Sequence, residues 1–467
     1  MIIKLENRIP NKIQEIVKAI VDYGRISYRE SIPYLVGGGV IDIFECREPK
    51  DWDIEVFNRS IDELESILSP FGEVNAIGKK FGILKLKVEN LDLEFSIPRT
   101  ENKIGVGHQD FNIWLEPEMS IVDAAKRRDF TVNAIYLNLV TGKIEDPFGG
   151  RKDLRRSLLD IVSPDTFIED PLRCFRAMRF VSYRTRTSSL NLRQLCSTMI
   201  EECKALSSDS IFQEWNKMLL KGNRPDRSLR FLRDSNLIKL YPEIENLINC
   251  EQSPTHHREG NVFNHSCLAL QSAASLRNNL PEEWRLPFMW AALLHDIGKP
   301  SCTKIDENGK IKSIGHDVVG AKMARQFMLR LTNSETLINK VELLVKHHMK
   351  PITYNDKTRL YKWRQLHNEI PLNILAYFTL ADSMGRIADE PFNLRFDKTM
   401  KIWEQIGSPE GKIKSVLTGQ DLINIGLTPG IHFGEILEKA YQFQIINGID
   451  NKEELIKRLR NEIGKYA

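Results

Sequence analysis

Two aspartates stand two positions apart: Asp51 directly precedes WDIEVF, a segment with the pattern of a strand, and Asp53 lies within it. Side chains two positions apart on a strand point to the same face, so both carboxylates would lie on one side of a sheet. Such carboxylates are the hard oxygen ligands that Mg²⁺ prefers. Glu55 continues this face, but Glu94, in the strand-like segment LDLEFSI, is the better third ligand because it can come from a neighbouring strand. The pattern predicts a magnesium site on a sheet.

A glycine turn precedes these aspartates. Gly37, Gly38 and Gly39 follow a short apolar run at 34–36 and lead into a helical pattern over 40–44. Backbone N–H groups at such a turn bind phosphate, and carboxylate-bound metal ions beside a phosphate suit two-metal phosphoryl transfer. A DxD pair alone or a glycine triplet alone is common without catalysis. A strand, a glycine turn, a helix and a DxD pair in this order are far more specific for phosphoryl transfer.

A second group of metal-ligating residues lies in the C-terminal half. The apolar run MWAALLHDIGKP contains the adjacent pair His295 and Asp296, whose side chains can both reach one ion where a helix ends. The further candidates are His265, His316, His348 and Asp382. Mixed nitrogen and oxygen ligands suit Mn²⁺, Ni²⁺ or Zn²⁺, and in some sites Mg²⁺. A single histidine is usually structural, but four histidines and two aspartates in this order predict a metal site.

The elements that position these residues differ between the two halves. The N-terminal third has strand patterns at 52–57, 82–88 and 91–97, and Ser60 with Glu63 predicts a capping box for a helix over 61–68. Residues 99–119 lack periodicity and are predicted to form a long loop. From Ala124 onward the pattern is mostly helical.

Composition limits the class of protein. The chain has 467 residues, a net charge of +3 and no apolar run of about 18 residues, so a transmembrane helix is not expected. The first residues lack the features of a signal peptide. Seven scattered cysteines without a CxxC pair indicate a reducing, cytoplasmic compartment.

Several motifs together resemble a known family. LVGGGV at 35–40, followed by KDWD at 50–53, is similar to the first motif of the DNA polymerase β-like nucleotidyltransferases. RRDFTVNA at 127–134, DPFGG at 146–150 and EDPLR at 169–173 continue the likeness, in the order of class II tRNA nucleotidyltransferases and bacterial poly(A) polymerases. The segments around the C-terminal histidines resemble the HD phosphohydrolase superfamily. The chain departs from the pattern at Ile41 and Ser210, where the family usually has arginine, but no metal ligand is lost.

The resemblance implies a fold and a domain order. We expect an α/β, polymerase β-like nucleotidyltransferase head followed by mostly α-helical neck, HD and tail domains. The head would span 1–140 and the RNA-binding, nucleotide-selecting neck 141–250. The HD phosphohydrolase-like domain would span 251–390, and a helical tail 391–467.

The resemblance also implies a role for each motif residue. Asp51, Asp53 and Glu94 would be catalytic, with Asp51 and Asp53 holding Mg²⁺. Asp170 and Arg173 would hydrogen-bond the base of the incoming nucleotide, oriented by Glu169. The nucleotide-binding residues would be Gly37, Gly38, Asp42, Arg128, Asp129, Asn133, Glu169, Asp170, Arg173, Arg176 and Arg179. The HD metal ligands would be His265, His295, Asp296 and Asp382, with His316 and His348 holding a second metal or the substrate phosphate.

The implied activity is the addition of CMP, CMP and AMP, from CTP and ATP, to the 3′ end of tRNA. The segment IGKKFG at 77–82 and the retained loop over 99–117 favour this product. A poly(A) polymerase, a partial CC- or A-adding enzyme, and an HD phosphohydrolase with an RNA-binding N-terminal half remain alternatives. Some members with an HD domain hydrolyse 2′,3′-cyclic and 2′-phosphates. The sequence leaves the oligomeric state open.

Overall fold

The computed structural model describes residues 3, 5, 8–49, 51–103, 111–183, 187–255, 257–355, 357–387, 393–407 and 412–463. The chain forms two compact units, Met1–Tyr241 and Pro242–Ala467. The division into four domains stays a prediction. All seven cysteines are free thiols.

The N-terminal unit is α/β. Its strands are β1 (Ile32–Val36), β2 (Trp52–Phe57), β3 (Val74–Asn75), β4 (Ile83–Val88), β5 (Leu91–Ser96), β6 (Arg99–Lys103), β7 (Phe111–Leu115), β8 (Tyr136–Asn138), β9 (Ile144–Glu145), β10 (Leu158–Leu159) and β11 (Thr187–Ser188). Its helices are α1 (Asn11–Ile26), α2 (Gly38–Phe44), α3 (Ile61–Leu68), α4 (Ile121–Lys126), α5 (Gly150–Arg155), α6 (Pro164–Phe167), α7 (Leu172–Val181), α8 (Leu190–Thr198), α9 (Ile200–Lys204), α10 (Ser208–Lys221) and α11 (Pro225–Asp234).

Seven of these strands form one sheet in the order β3-β4-β5-β2-β1-β8-β9. The pair β2 and β5 is parallel, and the other neighbours are antiparallel. Alternate residues of β4 are buried and exposed, as expected of a strand with one face on the core. Apolar side chains of the sheet, such as Ile54 and Phe95, share one core with Ile16 of α1 and Leu64 of α3. This core fixes the strands that carry the acidic residues.

Two local predictions from the sequence have clear outcomes. The capping box of α3 is present: Ser60 Oγ accepts from the backbone N–H of Glu63, whose carboxylate accepts from the Ser60 N–H at 2.8 Å. The prediction of a long loop over 99–119 is wrong for its described part, because β6 and β7 pair antiparallel with Arg99 opposite Leu115. The polar sequence of β6 gives no strand signal, and pairing with a distant segment forms the hairpin. Residues 104–110 lie outside the described ones.

The C-terminal unit is helical apart from one small hairpin. Its helices are α12 (Pro242–Glu245), α13 (Val262–Leu276), α14 (Glu282–Leu294), α15 (Lys299–Cys302), α16 (His316–Leu329), α17 (Glu335–His347), α18 (Lys350–Thr353), α19 (Leu360–Glu369), α20 (Leu372–Met384), α21 (Leu394–Ile406), α22 (Gly419–Asn424), α23 (His432–Asn447) and α24 (Lys452–Ile463). The hairpin strands are β12 (Lys304–Ile305) and β13 (Ile311–Lys312). Helices α13, α14, α17 and α20 pack together, and the predicted HD residues lie at or near their ends, except His316, which begins α16. The last helices form a separate apolar cluster around Leu422 and Ala440.

Candidate functional site

The glycine turn brings the backbone close to Asp53. Gly37 joins β1 to α2 with φ 66°, a left-handed conformation that glycine adopts without strain. A Cβ at Gly37 would lie 3.3 Å from Asp53 Oδ2, whereas a Cβ at Gly38 would meet no atom within 4 Å. The turn therefore leaves open space next to the Asp53 carboxylate. A phosphate on the α2 N-terminus would occupy this kind of space.

Three acidic residues converge at this turn. Asp53 lies opposite Glu94 in the parallel pair of β2 and β5, and Asp51 lies just before β2. Burial, followed by the Glu94 carboxylate, raises the pKa of Asp53 from 3.8 to about 6, and Asp51 adds to the rise. Repelling carboxylates that share a site are stabilised by a bound cation. Hard oxygen donors in this arrangement fit a divalent metal ion.

Glu55 has a different role from the three acids, although it lies on the same strand. It is buried, and its carboxylate accepts a hydrogen bond from Arg128 Nη2 at 2.5 Å and from the Tyr136 hydroxyl at 3.1 Å. The Arg128 guanidinium also lies 5.5 Å from the centre of the Tyr136 ring. Glu55 thus fixes the position of Arg128, a function that the sequence analysis did not find because the two residues are 73 positions apart.

Asp129 links the central motif to α7. Its buried carboxylate accepts from Arg176 Nε at 2.7 Å and from Asn133 Nδ2 at 2.9 Å. Burial alone would raise the pKa of Asp129, but Arg176 and Asn133 hold it below its usual value. Asp129 is therefore an ionised anchor for Arg176 and Asn133.

The proposed base-recognition residues lie at the start of α7. Asp170 Oδ1 accepts from the backbone N–H of Leu172 at 3.0 Å. Arg173 donates to the carbonyl oxygens of Thr166, at 2.7 Å, and Arg127, at 2.9 Å. The Arg127 contact connects this pair to the RRDFTVNA segment.

Three further residues of the sequence prediction lie in α2, just before α7 and in α7. Arg179 Nε donates to the buried Glu214 of α10 at 2.5 Å, so its head group is engaged in the helical part of the unit. Asp42 lies in α2 and Glu169 just before α7, and both are half-buried.

The DPFGG segment and the start of α5 pack against the RRDFTVNA segment at Thr131. Asp146 accepts from the backbone N–H groups of Gly150, at 2.7 Å, and Arg151, at 3.1 Å. A Cβ at Gly150 would lie 2.0 Å from the Thr131 carbonyl oxygen, so only glycine fits there. The Thr131 hydroxyl donates to Asp153 at 2.7 Å. The motif was visible in the sequence, but its supporting role was not.

The HD residues of the C-terminal unit form a buried cluster. His265 lies in α13, His295 and Asp296 follow α14, and Asp382 lies in α20. His265 Nε2 is 3.0 Å from Asp382 Oδ1 and 3.2 Å from His295 Nε2, and His295 Nε2 is 3.3 Å from Asp296 Oδ2. The structure brings these four predicted ligands together.

His316 and His348 approach the other oxygen of Asp296. Their Nε2 atoms are 3.2 Å apart and lie 3.4 and 4.0 Å from Asp296 Oδ1. The described residues thus contain two groups with metal-ligand spacing that share Asp296, one with His265 and His295 and one with His316 and His348. Asp296 faces both groups.

The histidine rings show why this cluster suits metal ions. The Nδ1 atoms of His295, His316 and His348 lie 2.6–3.0 Å from the carbonyl oxygens of Ala292, Ser313 and Val345. A carbonyl only accepts, so each neutral ring donates through Nδ1–H and keeps a lone pair on Nε2. When both rings are neutral, two lone pairs of the His316–His348 pair therefore face each other at 3.2 Å. A cation between them removes this conflict, so the donor set fits a metal.

Two charged neighbours of the cluster, Arg386 and Glu259, were not assigned from the sequence. Burial alone would raise the pKa of Asp382, but Arg386 and His265 hold it well below its usual range. Burial lowers the pKa of His348 to about 3, with His295 and His316 adding to the effect. Glu259 accepts from His257 and lies 3.2 Å from His265 Nδ1. The position of Glu259 at the start of the EGNVFNH segment, six residues before His265, was the sequence signal that could have identified it.

Comparison with known proteins places both halves of the chain. Residues 33–160 match the model of the poly A polymerase head domain, and residues 262–386 match that of the HD domain. The multifunctional CCA protein of Neisseria meningitidis is 32% identical over 320 residues, which cover 68% of this chain and 72% of that protein. The chain belongs to the multifunctional CCA protein family. Head and HD domains of this kind imply dependence on divalent metal ions.

Solved structures share the fold of this family member along almost its whole length. The Bacillus stearothermophilus CCA-adding enzyme in complex with CTP is 20% identical, with a TM-score of 0.66 over 98% of this chain and 100% of that chain. The Thermotoga maritima CCA-adding enzyme complexed with tRNA is 18% identical, with a TM-score of 0.61 over 98% and 97%. At this identity the likeness concerns the fold. None of the helices in the described residues has the length and apolar character needed to cross a membrane.

Proposed function

We propose that this chain adds CMP, CMP and AMP, from CTP and ATP, to the 3′ end of tRNA. The observation that carries the proposal is the convergence of Asp51, Asp53 and Glu94 at the Gly37 turn. In the reaction the RNA 3′ oxygen attacks the α-phosphate of the nucleotide, and pyrophosphate leaves. Family membership favours this reaction over a general poly(A) polymerase.

Mg²⁺ is the ion that we propose for the three carboxylates. When bound, it supplies positive charge to the phosphates and promotes ionisation of the attacking hydroxyl. The chain itself contributes binding and orientation. N–H groups at the Gly37–Gly38 turn would bind the triphosphate, and Arg128, fixed by Glu55, would add a cation close by.

Base selection belongs, in this proposal, to Asp170 and Arg173. An aspartate accepts from the exocyclic amine of cytosine or adenine, and an arginine donates to their ring acceptors. The contact of Arg173 with the Arg127 carbonyl and the anchoring of Arg176 by Asp129 support a fixed position of α7 relative to the RRDFTVNA segment. A fixed protein surface would favour two bases without a nucleic-acid template.

Incubation with tRNA that lacks CCA, supplied with one nucleotide at a time, tests the product. The proposal predicts two CMP additions with CTP alone, because the first two positions are C. Incorporation of AMP alone, without CMP, would favour an A-adding enzyme or a poly(A) polymerase. Two CMP additions and no AMP after them would indicate a CC-adding enzyme.

The HD cluster supports a second activity, the hydrolysis of phosphate esters. The specific observation is the set of facing Nε2 lone pairs around Asp296. We propose Mn²⁺, Ni²⁺ or Zn²⁺ as the bound ions, since imidazole nitrogen suits these metals. The substrates would be 2′,3′-cyclic and 2′-phosphates. Hydrolysis of a 2′,3′-cyclic nucleotide by the wild type and its loss in His295→Ala would support this, and equal rates would reject it.

The protein is expected to act on tRNA in the cytoplasm. Four basic residues around α5 favour contact with the RNA backbone: Arg151, Lys152, Arg155 and Arg156. The free state of all seven cysteines fits a reducing compartment.

A further inference from the structure

A buried carboxylate that is not one of the predicted metal ligands contacts the HD cluster. Glu259 lies between α12 and α13, and its side chain is only 1% exposed. Its Oε1 atom is 3.2 Å from Nδ1 of His265. The other ring nitrogen of His265, Nε2, lies next to Asp382 and His295. Glu259 therefore contacts the nitrogen of His265 that does not face the other ligands.

His265 differs from the other three histidines of the cluster in the partner of its Nδ1 atom. The Nδ1 atoms of the other three rings lie 2.6–3.0 Å from backbone carbonyl oxygens. The carbonyl oxygen next to His265 Nδ1, that of Gly385, is 3.3 Å away. Because a hydrogen bond to an ionised carboxylate is stronger than one to a carbonyl, Glu259 is the main acceptor for the ring of His265.

The surrounding chain holds Glu259 in place. Its Oε1 lies 2.7 Å from His257 Nδ1, and its Oε2 accepts from the backbone N–H of Ile387 at 3.0 Å. The backbone carbonyl of Glu259 accepts from Asn264 Nδ2 at 3.1 Å. Ile387 follows α20 and Asn264 lies in the first turn of α13. The residue is thus tied to both of these helices, each of which carries a predicted metal ligand.

The neighbours of Nδ1 determine where the neutral His265 ring carries its proton. The Glu259 carboxylate and the Gly385 carbonyl only accept, so the proton is on Nδ1. Nε2 then presents its lone pair beside Asp382 Oδ1, at 3.0 Å, and His295 Nε2, at 3.2 Å. Donation to a carboxylate also makes an imidazole a more basic metal ligand.

A metal ion on the other side of the ring is the competing arrangement. His257, Glu259 and His265 also have metal-ligand spacing. An ion at these residues would take the Nδ1 lone pair, and a ring that binds an ion through each nitrogen must lose both of its protons. The hydrogen bond to Glu259 keeps one proton on the ring and leaves Nε2 for the ion.

We propose that Glu259 is a positioning residue of the HD metal site, which keeps the proton on His265 Nδ1 and directs Nε2 to the ion. The inference rests on the metal binding proposed above for the HD cluster, and it does not depend on phosphohydrolysis.

Calorimetric titration of the full-length protein with Zn²⁺, in excess Mg²⁺ to saturate the head, tests the proposal. Glu259→Gln should weaken Zn²⁺ binding at least about tenfold, because the loss of such a carboxylate typically costs that much in affinity. The control is Glu251→Gln, which changes an exposed glutamate of the same connecting segment and should stay within about twofold of the wild type.

His295→Ala separates the two ways in which the proposal can fail. Zn²⁺ binding lost in His295→Ala but unchanged in Glu259→Gln would overturn the role of Glu259 and leave the metal site standing. Equal binding by the wild type and His295→Ala would reject the metal site, and the role of Glu259 with it. Unchanged circular dichroism and nucleotide incorporation would establish that the variants are folded.

Nuclear magnetic resonance of the Zn²⁺-loaded protein with isotope-labelled histidine gives a readout that a loss of packing would not produce. The wild type should show a proton on His265 Nδ1 with a downfield signal, as expected of a donor to a carboxylate. In Glu259→Gln this signal should move upfield, because an amide oxygen is a weaker acceptor. A wild-type ring without a proton on Nδ1, or an unchanged signal in the variant, would contradict the proposal.

Discussion

Burial and neighbouring carboxylates destabilise the ionised form of Asp53. Its carboxylate lies opposite Glu94 and close to Asp51, and its pKa is raised to about 6 by burial and these charges. In the metal-free protein the folded chain therefore binds this proton more tightly than the unfolded chain does. The resulting stability is complete below pH 4 and is lost as the pH rises through 6.

We predict that Asp53→Asn raises the stability of the metal-free protein at pH 8 by about 3 kcal/mol, since the pKa rises from 3.8 to about 6 and one pKa unit corresponds to about 1.4 kcal/mol. At pH 4 the variant and the wild type should unfold at the same temperature. Thermal unfolding in EDTA at both pH values measures this. Asp92→Asn, an exposed position of β5, is the control. A variant that is less stable at pH 8 would show that the carboxylates do not repel each other.

Arg128 depends on a partner that is distant in sequence. We predict that Glu55→Gln lowers kcat/KM for nucleotide about tenfold, mainly through a higher KM, because the charged hydrogen bond to Arg128 is lost. Tyr136→Phe removes a hydrogen bond from an uncharged donor to the same carboxylate and keeps the Glu55–Arg128 ion pair, so it should have a smaller effect. Steady-state kinetics with CTP measures kcat and KM separately for both variants. A normal KM in Glu55→Gln would show that Arg128 does not bind the nucleotide.

At the scale of elements, α5 is packed directly against the RRDFTVNA segment. Gly150→Ala would place a methyl group 2.0 Å from the Thr131 carbonyl oxygen, and the backbone must shift. We predict a loss of about 3 kcal/mol of stability and reduced nucleotide incorporation. Gly434→Ala, in α23, meets no atom within 4 Å and should be neutral or stabilising by up to about 1 kcal/mol. Urea unfolding of both variants compares them, and similar stabilities would contradict the packing argument.

Sequence patterns predicted the elements whose signals are local. The strand β2, the helix α2 and the capping box of α3 follow from periodicity and from residue pairs three positions apart. The hairpin of β6 and β7 was missed because strand pairing depends on a partner outside the local sequence. The same limit applies to sites. The DxD pair and the HD pair were visible, whereas Glu55 opposite Arg128 required the folded chain.

At the scale of the whole molecule, the two proposed centres lie in separate compact units. We predict that His295→Ala abolishes phosphohydrolysis and leaves CMP and AMP incorporation within about twofold of the wild type. Asp53→Asn should have the opposite effect, with a loss of at least a thousandfold in incorporation. Both reactions are measured on the same preparations, with circular dichroism to establish folding. Loss of both activities in either variant, with the fold intact, would show that the centres depend on each other.

The most direct test is the sequence of the RNA 3′ ends after incubation of tRNA without CCA with the protein, CTP, ATP and Mg²⁺. We expect most molecules to end in CCA with the wild type and to remain unextended with Asp53→Asn. Ends that carry runs of A, or CCA ends produced equally well by Asp53→Asn, would contradict this expectation.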